Sequence, residues 1–324
     1  MIRATYELDP VDAAETLALI ESVGRADGPD DVRARVVDVD GDRATIEFPA
    51  ATNDVALLVS SLFAGEWVDS AAFERCRLVD VDWPAEFLPG PAFDAPDRVL
   101  VGAIVKPSLG LSPAEVAHTA AQLAAGGADL VKDDELLGDP ASCPLEERVR
   151  AVAAAGVNYA ANITGPAETL LARAERVVEL GAGALMLNAF AQGLDALRAL
   201  RVAELGVPIF AHRIDAAMWA RDHAFGVAPA VVSELTRLCG ADYVQVGSFS
   251  GTVYDTPDDV RAQIAACQRN LAGARKSVAV LGGGVAPDNA AAQLEQAGAT
   301  VGVMVLFGSG AYDGSRPKKE LEIA

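Results

Sequence analysis

From residue 99 onward the chain alternates short, wholly apolar runs with longer amphipathic ones. The apolar runs cover 99–105, 128–131, 157–161, 184–187, 207–211, 242–246, 278–281 and 301–307. Ala-, Leu- and Glu-rich stretches such as 113–125, 144–155, 166–180 and 258–272 separate them. Several of these stretches open on proline and close on glycine, as at Pro113 and Gly126 or Pro166 and Gly181. Proline suits the first helical turn and glycine the position just past the last. Strands that are apolar throughout, instead of alternating, belong to a parallel sheet covered by helices. Eight such units predict an α/β fold, a (β/α)8 TIM barrel with its active site at the carboxyl ends of the strands. The rival arrangement is a doubly wound open sheet.

Residues 1–97 carry a different pattern. Strands are expected at 2–8, 32–39, 44–48 and 77–81, and helices at 13–20 and 54–63. The order βαββαβ predicts a small α+β, ferredoxin-like domain. The run 38–42, with Gly41, fits a hairpin turn between the middle strands. Residues 84–97 hold four prolines and read as a linker to the barrel domain, 98–324. After the eighth strand there is room only for a helical stub at 317–323. The barrel's end is therefore expected to be shortened and covered by another element or subunit.

Composition narrows the function. The 324 residues are 51% hydrophobic, enough for a large core. With 46 acids against 26 basic residues the net charge is -20, which argues against a nucleic-acid partner. No run of 18 apolar residues or basic amphipathic helix points to a membrane. The first residues lack the pattern of a signal peptide. Cys76, Cys143, Cys239 and Cys267 are scattered, as expected for reduced thiols in a cytoplasmic protein.

Polar or glycine positions fall at the end of every predicted barrel strand. Lys106 ends the first, and Lys132, Asp134 and Glu135 the second. Asn162 ends the third, Asn188 the fourth, and His212-Arg213 the fifth. The run 245–251 follows the sixth, Gly282-Gly283-Gly284 the seventh, and Gly308-Ser309-Gly310 the eighth. Alone, an asparagine here is a turn residue, three glycines a loop and Lys132-Asp133-Asp134-Glu135 a solvated charge cluster. Together at one barrel mouth they describe a site, and the acids supply the hard oxygens that Mg2+ prefers.

These motifs resemble the large chain of ribulose-bisphosphate carboxylase (RuBisCO). Lys106-Pro107-Ser108-Leu109-Gly110-Leu111-Ser112 is similar to that family's KPKLGLS, and 127–135 to its GGLDFTKDDE. Asn162-Ile163-Thr164-Gly165 is similar to its NATAG, His212-Arg213 to its HR pair, and 307–310 to its FGGG. The resemblance implies that Lys132 is carbamylated by CO2 and binds Mg2+ with Asp134 and Glu135. It implies Lys106 as a proton-transfer group or electrostatic stabiliser. Lys132, through its carbamate, and His212, orienting a hydroxyl, complete the implied catalytic set. Arg213 is implied as a fork for phosphate, with Asn162 and Asn188 nearby. The N–H groups of Gly283, Gly284, Gly308, Ser309 and Gly310 would cradle a phosphate. It also implies a homodimer, with Glu21 placed to reach into the partner's site.

The departures from the family redirect the chemistry. The second lysine of KPK is Ser108, the histidine after the sixth strand is Gln245, and the serine before the glycine pair is Gly282. The family's lysine-bearing loop is Ser250 to Asp255 here, without lysine. Those groups handle CO2 in the family, so carboxylation is not expected. The pattern resembles a RuBisCO-like (form IV) protein, an Mg2+-dependent enolase, isomerase or decarboxylase acting on a small phosphorylated keto-sugar-like substrate. The segments 187–195 and 248–253 are similar to diketo-methylthiopentyl phosphate enolases, whose base is a lysine near the position of Leu62. No lysine precedes Lys106 here, leaving Lys106 as the base. The alternative is a non-catalytic phospho-ligand-binding or regulatory protein. His118 is expected to be a surface or packing residue of a helix, and Trp67 and Trp83 to lie in the core or at a dimer interface. His223 and Trp219 could line the mouth.

Overall fold

The computed structural model describes residues 1–49, 54–63, 65–84, 88–271, 273–299 and 301–323. The amino-terminal part forms β1 (Ile2–Asp9), α1 (Ala14–Ile20), β2 (Arg35–Asp40), β3 (Arg43–Phe48), α2 (Val55–Leu58) and β4 (Arg75–Asp82). The chain after α2 continues as one π-helical segment, Val59–Phe63. Sheet order is β4-β1-β3-β2, all antiparallel, as the ferredoxin-like reading requires. β2 and β3 are joined by Gly41 and Asp42, with Gly41 at φ +61°.

Eight parallel strands then close into a barrel. They are β5 (Leu100–Ile104), β6 (Leu130–Lys132), β7 (Tyr159–Asn162), β8 (Ala184–Asn188) and β9 (Ile209–His212), followed, after the short β10 (Phe225–Val227), by β11 (Tyr243–Val246), β12 (Val278–Leu281) and β13 (Val303–Phe307). The helices between them are α3 (Pro113–Ala125), α4 (Leu145–Ala154), α5 (Leu170–Glu179), α6 (Ala189–Gln192), α7 (Leu194–Val202), α8 (Ala217–Ala220), α9 (Pro229–Leu238), α10 (Pro257–Gln268) and α11 (Pro287–Ala297). Local chemistry sets their starts. Ser112 and Glu115 form a reciprocal cap on α3, and Thr256 and Asp259 on α10, each with proline at the first turn. Met186, Phe210, Met304 and Leu306 fill the barrel and close the floor below the mouth. Among the described residues, no helix is long and apolar enough to cross a membrane.

Two features differ from the expectation. β10, in the connection after β9, leaves the barrel and pairs in parallel with β4, so the amino-terminal sheet gains a fifth strand. His223 goes with it, placing Nδ1 2.8 Å from Nη1 of Arg77, and does not line the mouth. Gly226 is required there at φ +105°, because a side chain would strike the Trp219 carbonyl. The helical stub expected at 317–323 is not helical. Tyr312–Asp313 and Arg316–Pro317 form a small hairpin, and the tail runs extended over the end of α3. The Leu321 N–H donates to the Gly126 carbonyl at 2.8 Å, and the Leu321 side chain is buried. The open carbonyl end of a helix thus takes the segment that could otherwise have coiled.

Candidate active site

The mouth of the barrel opens into a cavity of about 870 Å3. Its wall includes Lys106, Glu135, His212, Arg213, Gln245 and the glycines of the last two strands. At the end of β6 the three neighbouring acids separate. Asp133 turns inward, wholly buried, and accepts from Nε and Nη2 of Arg148 at 3.3 and 3.1 Å, from the Asn162 N–H at 2.9 Å and from the Tyr159 hydroxyl. Asp134 and Glu135 are left for the mouth. Asp134 pairs with Nζ of Lys106, which also lies 3.2 Å from the Ser108 hydroxyl. Burial pushes the Asp134 carboxyl up, but the hydrogen bond from Lys106 and the Leu136 N–H outweigh it and hold it low.

Lys132 is fully buried among these acids. Its Nζ donates to the Asp133 carbonyl at 2.7 Å, lies 3.9 Å from Glu135 and sits over the Phe210 ring at 5.7 Å. Burial lowers its ammonium to about 8, against the pull of Glu135, Asp134 and Asp133. His212 is buried beside it, with Nε2 3.4 Å from Glu135. Burial, together with Lys132, Arg213 and Lys106, pushes this imidazole well below its usual value. Its Nδ1 accepts from the Ile214 N–H at 3.1 Å, so the neutral ring carries its proton on Nε2. Tyr312 ties the tail to this centre, donating to the Ile104 carbonyl and accepting from the Lys106 N–H, both at 2.8 Å.

The asparagines have a holding role. Nδ2 of Asn162 reaches the Glu135 carbonyl at 3.2 Å, and Nδ2 of Asn188 reaches the same carbonyl at 2.9 Å. They fix the backbone that presents Asp134 and Glu135, and neither lines the cavity. Gly283, Gly284, Gly308, Ser309 and Gly310 do line it. Gly283 and Gly284 sit at φ +102° and +71°, and no acceptor among the described residues takes their N–H groups. The loop at 248–252 is fastened to them, with the Ser248 and Ser250 hydroxyls both donating to the Gly283 carbonyl. Glu21 lies elsewhere, against an apolar hollow with Phe48, Leu58 and Leu62, accepting from the Trp67 N–H at 3.1 Å. Burial pushes its carboxyl up to about 7.

A family model for the ribulose bisphosphate carboxylase large chain, catalytic domain, matches residues 91–314. The chain belongs to the RuBisCO large-chain family, as a RuBisCO-like (form IV) member. A ribulose bisphosphate carboxylase-like protein of Allochromatium vinosum is 36% identical over 229 residues, 64% of this chain and 50% of that one. The 2,3-diketo-5-methylthiopentyl-1-phosphate enolase of Geobacillus kaustophilus is 38% identical over 233 residues, 64% of this chain and 55% of that one. The chain thus spans about half the length of the curated relatives it matches. The crystal structure of a rubisco-like protein from Burkholderia fungorum superposes with a TM-score of 0.85 at 26% identity, covering 96% of this chain and 88% of that one.

Sequence reasoning missed Arg148, Tyr159 and Tyr312, which hold the RuBisCO-like centre in place. Arg148 had a visible signal. It shares a helical face with Leu145, Val149 and Val152, all buried, and a charge on such a face needs a partner.

Proposed function

We propose that this RuBisCO-like chain is an Mg2+-dependent enzyme that forms an enediolate from a small phosphorylated keto-sugar-like substrate. The outcome is tautomerisation, isomerisation or decarboxylation, without carboxylation of ribulose bisphosphate. The observation that carries this reading is Lys132, fully buried with its Nζ 3.9 Å from Glu135 and within the field of Asp134. Among the described residues, no three His, Cys, Asp or Glu side chains stand together to hold a metal. Asp134 and Glu135 supply two anions, and a carbamate on Lys132 supplies the third. The neutral amine adds to CO2, forming an N–C bond and releasing a proton, and a buried cation becomes an anion. The lowered ammonium of Lys132 makes that amine accessible near neutral pH.

Mg2+ held by these three groups would polarise a substrate carbonyl and favour the enediolate. Nζ of Lys106 lies on the rim of the cavity, where it can pass a proton to or from a substrate carbon. Once Asp134 serves as a ligand, Lys106 loses its present partner and is free for the substrate. His212 keeps its Nε2–H toward Glu135 and the cavity, as a donor that orients a substrate hydroxyl. The unused N–H groups of Gly283 and Gly284, with 308–310 on the adjoining strand end, suit a phosphate. The name of the Geobacillus kaustophilus relative, an enolase of a diketo phosphate, agrees with this chemistry. A homodimer in which Glu21 serves the partner's site belongs to the same proposal.

The test is proton exchange. Ribulose 5-phosphate in D2O should acquire deuterium next to its carbonyl only when Mg2+ and bicarbonate are both present. Equal exchange without either would overturn the metal-carbamate reading. Binding without exchange would favour the non-catalytic alternative.

A further inference from the structure

The fifth-strand end of the cavity carries an arginine whose charge is already answered. Nη2 of Arg213 lies 3.2 and 2.9 Å from the two carboxylate oxygens of Asp255. The Asp255 side chain has no exposure, and Nε2 of Gln263 holds its Oδ1 at 2.8 Å. The guanidinium also stacks over Tyr254 at 5.2 Å. Gly247 makes room for this pair. A Cβ there would come within 2.7 Å of Oδ2 of Asp255 and 3.1 Å of Nη1 of Arg213. The pair is therefore built into the wall.

Beside the pair the wall continues with the uncharged Gln245, while the exposed Asp215 and Arg221, one of each sign, stand at its rim. Gln245 lies against Gly282, where a Cβ would come within 2.7 Å of its Nε2. Oε1 of Gln245 and Nη1 of Arg213 are both buried and have no hydrogen-bond partner among the described residues. Neither atom has surface open to the cavity, so this stretch of wall offers no free charge to a ligand. The opposite end differs. Among the described residues, no acidic side chain lines the cavity from Gly282 to Gly310, and no acceptor takes the N–H groups of Gly283 and Gly284.

We infer that Asp255 determines substrate choice by neutralising Arg213, so that the cavity takes one phosphate at its glycine end and an uncharged group beside Arg213. A second phosphate beside Arg213 would meet the Asp255 carboxylate held on the same guanidinium, a like-charge juxtaposition in a water-poor wall. The inference rests on the proposed function in one respect, that the glycine end takes a phosphate.

Calorimetry at constant ionic strength would compare ribulose 5-phosphate with ribulose 1,5-bisphosphate. The wild-type chain should bind the monophosphate about tenfold more tightly or better, and Asp255→Asn should shift that ratio toward the bisphosphate by about tenfold. Equal or tighter binding of the bisphosphate by the wild-type chain overturns the inference and needs no variant. If Asp255→Asn fails to fold, the double variant Asp255→Asn with Arg213→Gln serves. It should keep the monophosphate preference, and losing it overturns the inference. If neither sugar phosphate binds, the inference falls, while Mg2+-dependent exchange on unphosphorylated ribulose would leave the enolising reading standing. Normal monophosphate preference with no exchange would remove the enolising reading alone.

Discussion

Asp133 and Asp134 are adjacent and chemically alike, yet their replacement by asparagine should have opposite consequences. Asp133→Asn keeps the shape of the side chain, so it leaves no cavity. It strips the charge from a carboxylate that receives two guanidinium bonds, a hydroxyl and a backbone N–H, all out of contact with water. Arg148, itself fully buried, would keep its charge unanswered. Breaking a buried pair from one side costs about 3–5 kcal/mol. Whole domains are stable by only about 5–15 kcal/mol. At about 2–4 °C per kcal/mol for a domain of this size, the melting temperature should fall by about 10 °C. The partner of Asp134 is Lys106, whose side chain is 29% exposed. Asp134 itself is buried, but Lys106 can turn its ammonium to water when the carboxylate is lost, so Asp134→Asn should lower the melt by less than half as much as Asp133→Asn. Asp134→Asn should instead abolish any stabilisation by Mg2+ with bicarbonate. Thermal melts with and without both additives decide the matter. The reasoning fails if Asp133→Asn melts within about 2 °C of wild type, or if both variants fall together.

Lys106→Met should end deuterium exchange into substrate while leaving Mg2+ binding equal or tighter, since it removes the cation that now holds Asp134; exchange at the wild-type rate would exclude Lys106 as the base. Bicarbonate labelled with 13C should give a carbamate signal in the wild-type chain that grows as pH rises through about 8, where the Lys132 amine becomes neutral, and that is missing in Lys132→Ala. A signal of equal strength in the variant would place the carbamate elsewhere. Glu234, held by Trp83 and Arg269, has its carboxyl pushed up to about 7 by burial, from an ordinary 4.5. Between those values the folded chain keeps a proton that the unfolded chain has lost, so stability should fall as pH rises from about 4.5 through about 7. In Glu234→Gln that fall should shrink, by melting temperature at pH 5 and pH 8, and an unchanged slope would refute the assignment.

The barrel was legible because parallel strands covered on both faces are apolar from end to end. That same continuity blurred the boundaries. The run 99–105 outlasts the paired strand Leu100–Ile104 because the residues flanking the ladder are also buried or half-buried. β10 was not legible. It is three residues with glycine in the middle, and its reason for existing lies in β4, far away in the sequence. The tail at 317–323 misled because its local pattern permits a helix, while its partner, the open end of α3, is set by the fold.

The site shows the same division more sharply. Charge type and spacing announced a cluster at Lys132-Asp133-Asp134-Glu135, but β6 ends at Lys132, and strand alternation says nothing about the acids that follow. What sorts them is Arg148, arriving from α4 on the buried face. It takes Asp133 inward, Asn162 and Asn188 clamp the Glu135 carbonyl, and Glu135 is then left on the cavity wall with Asp134 beneath the rim, paired with Lys106. The arginine that holds the loop therefore determines which carboxylates are available for chemistry, although it touches none of those two. The Asp133–Arg148 ion pair and the two acids beside it are one device, with the first fixing the position at which the second can act.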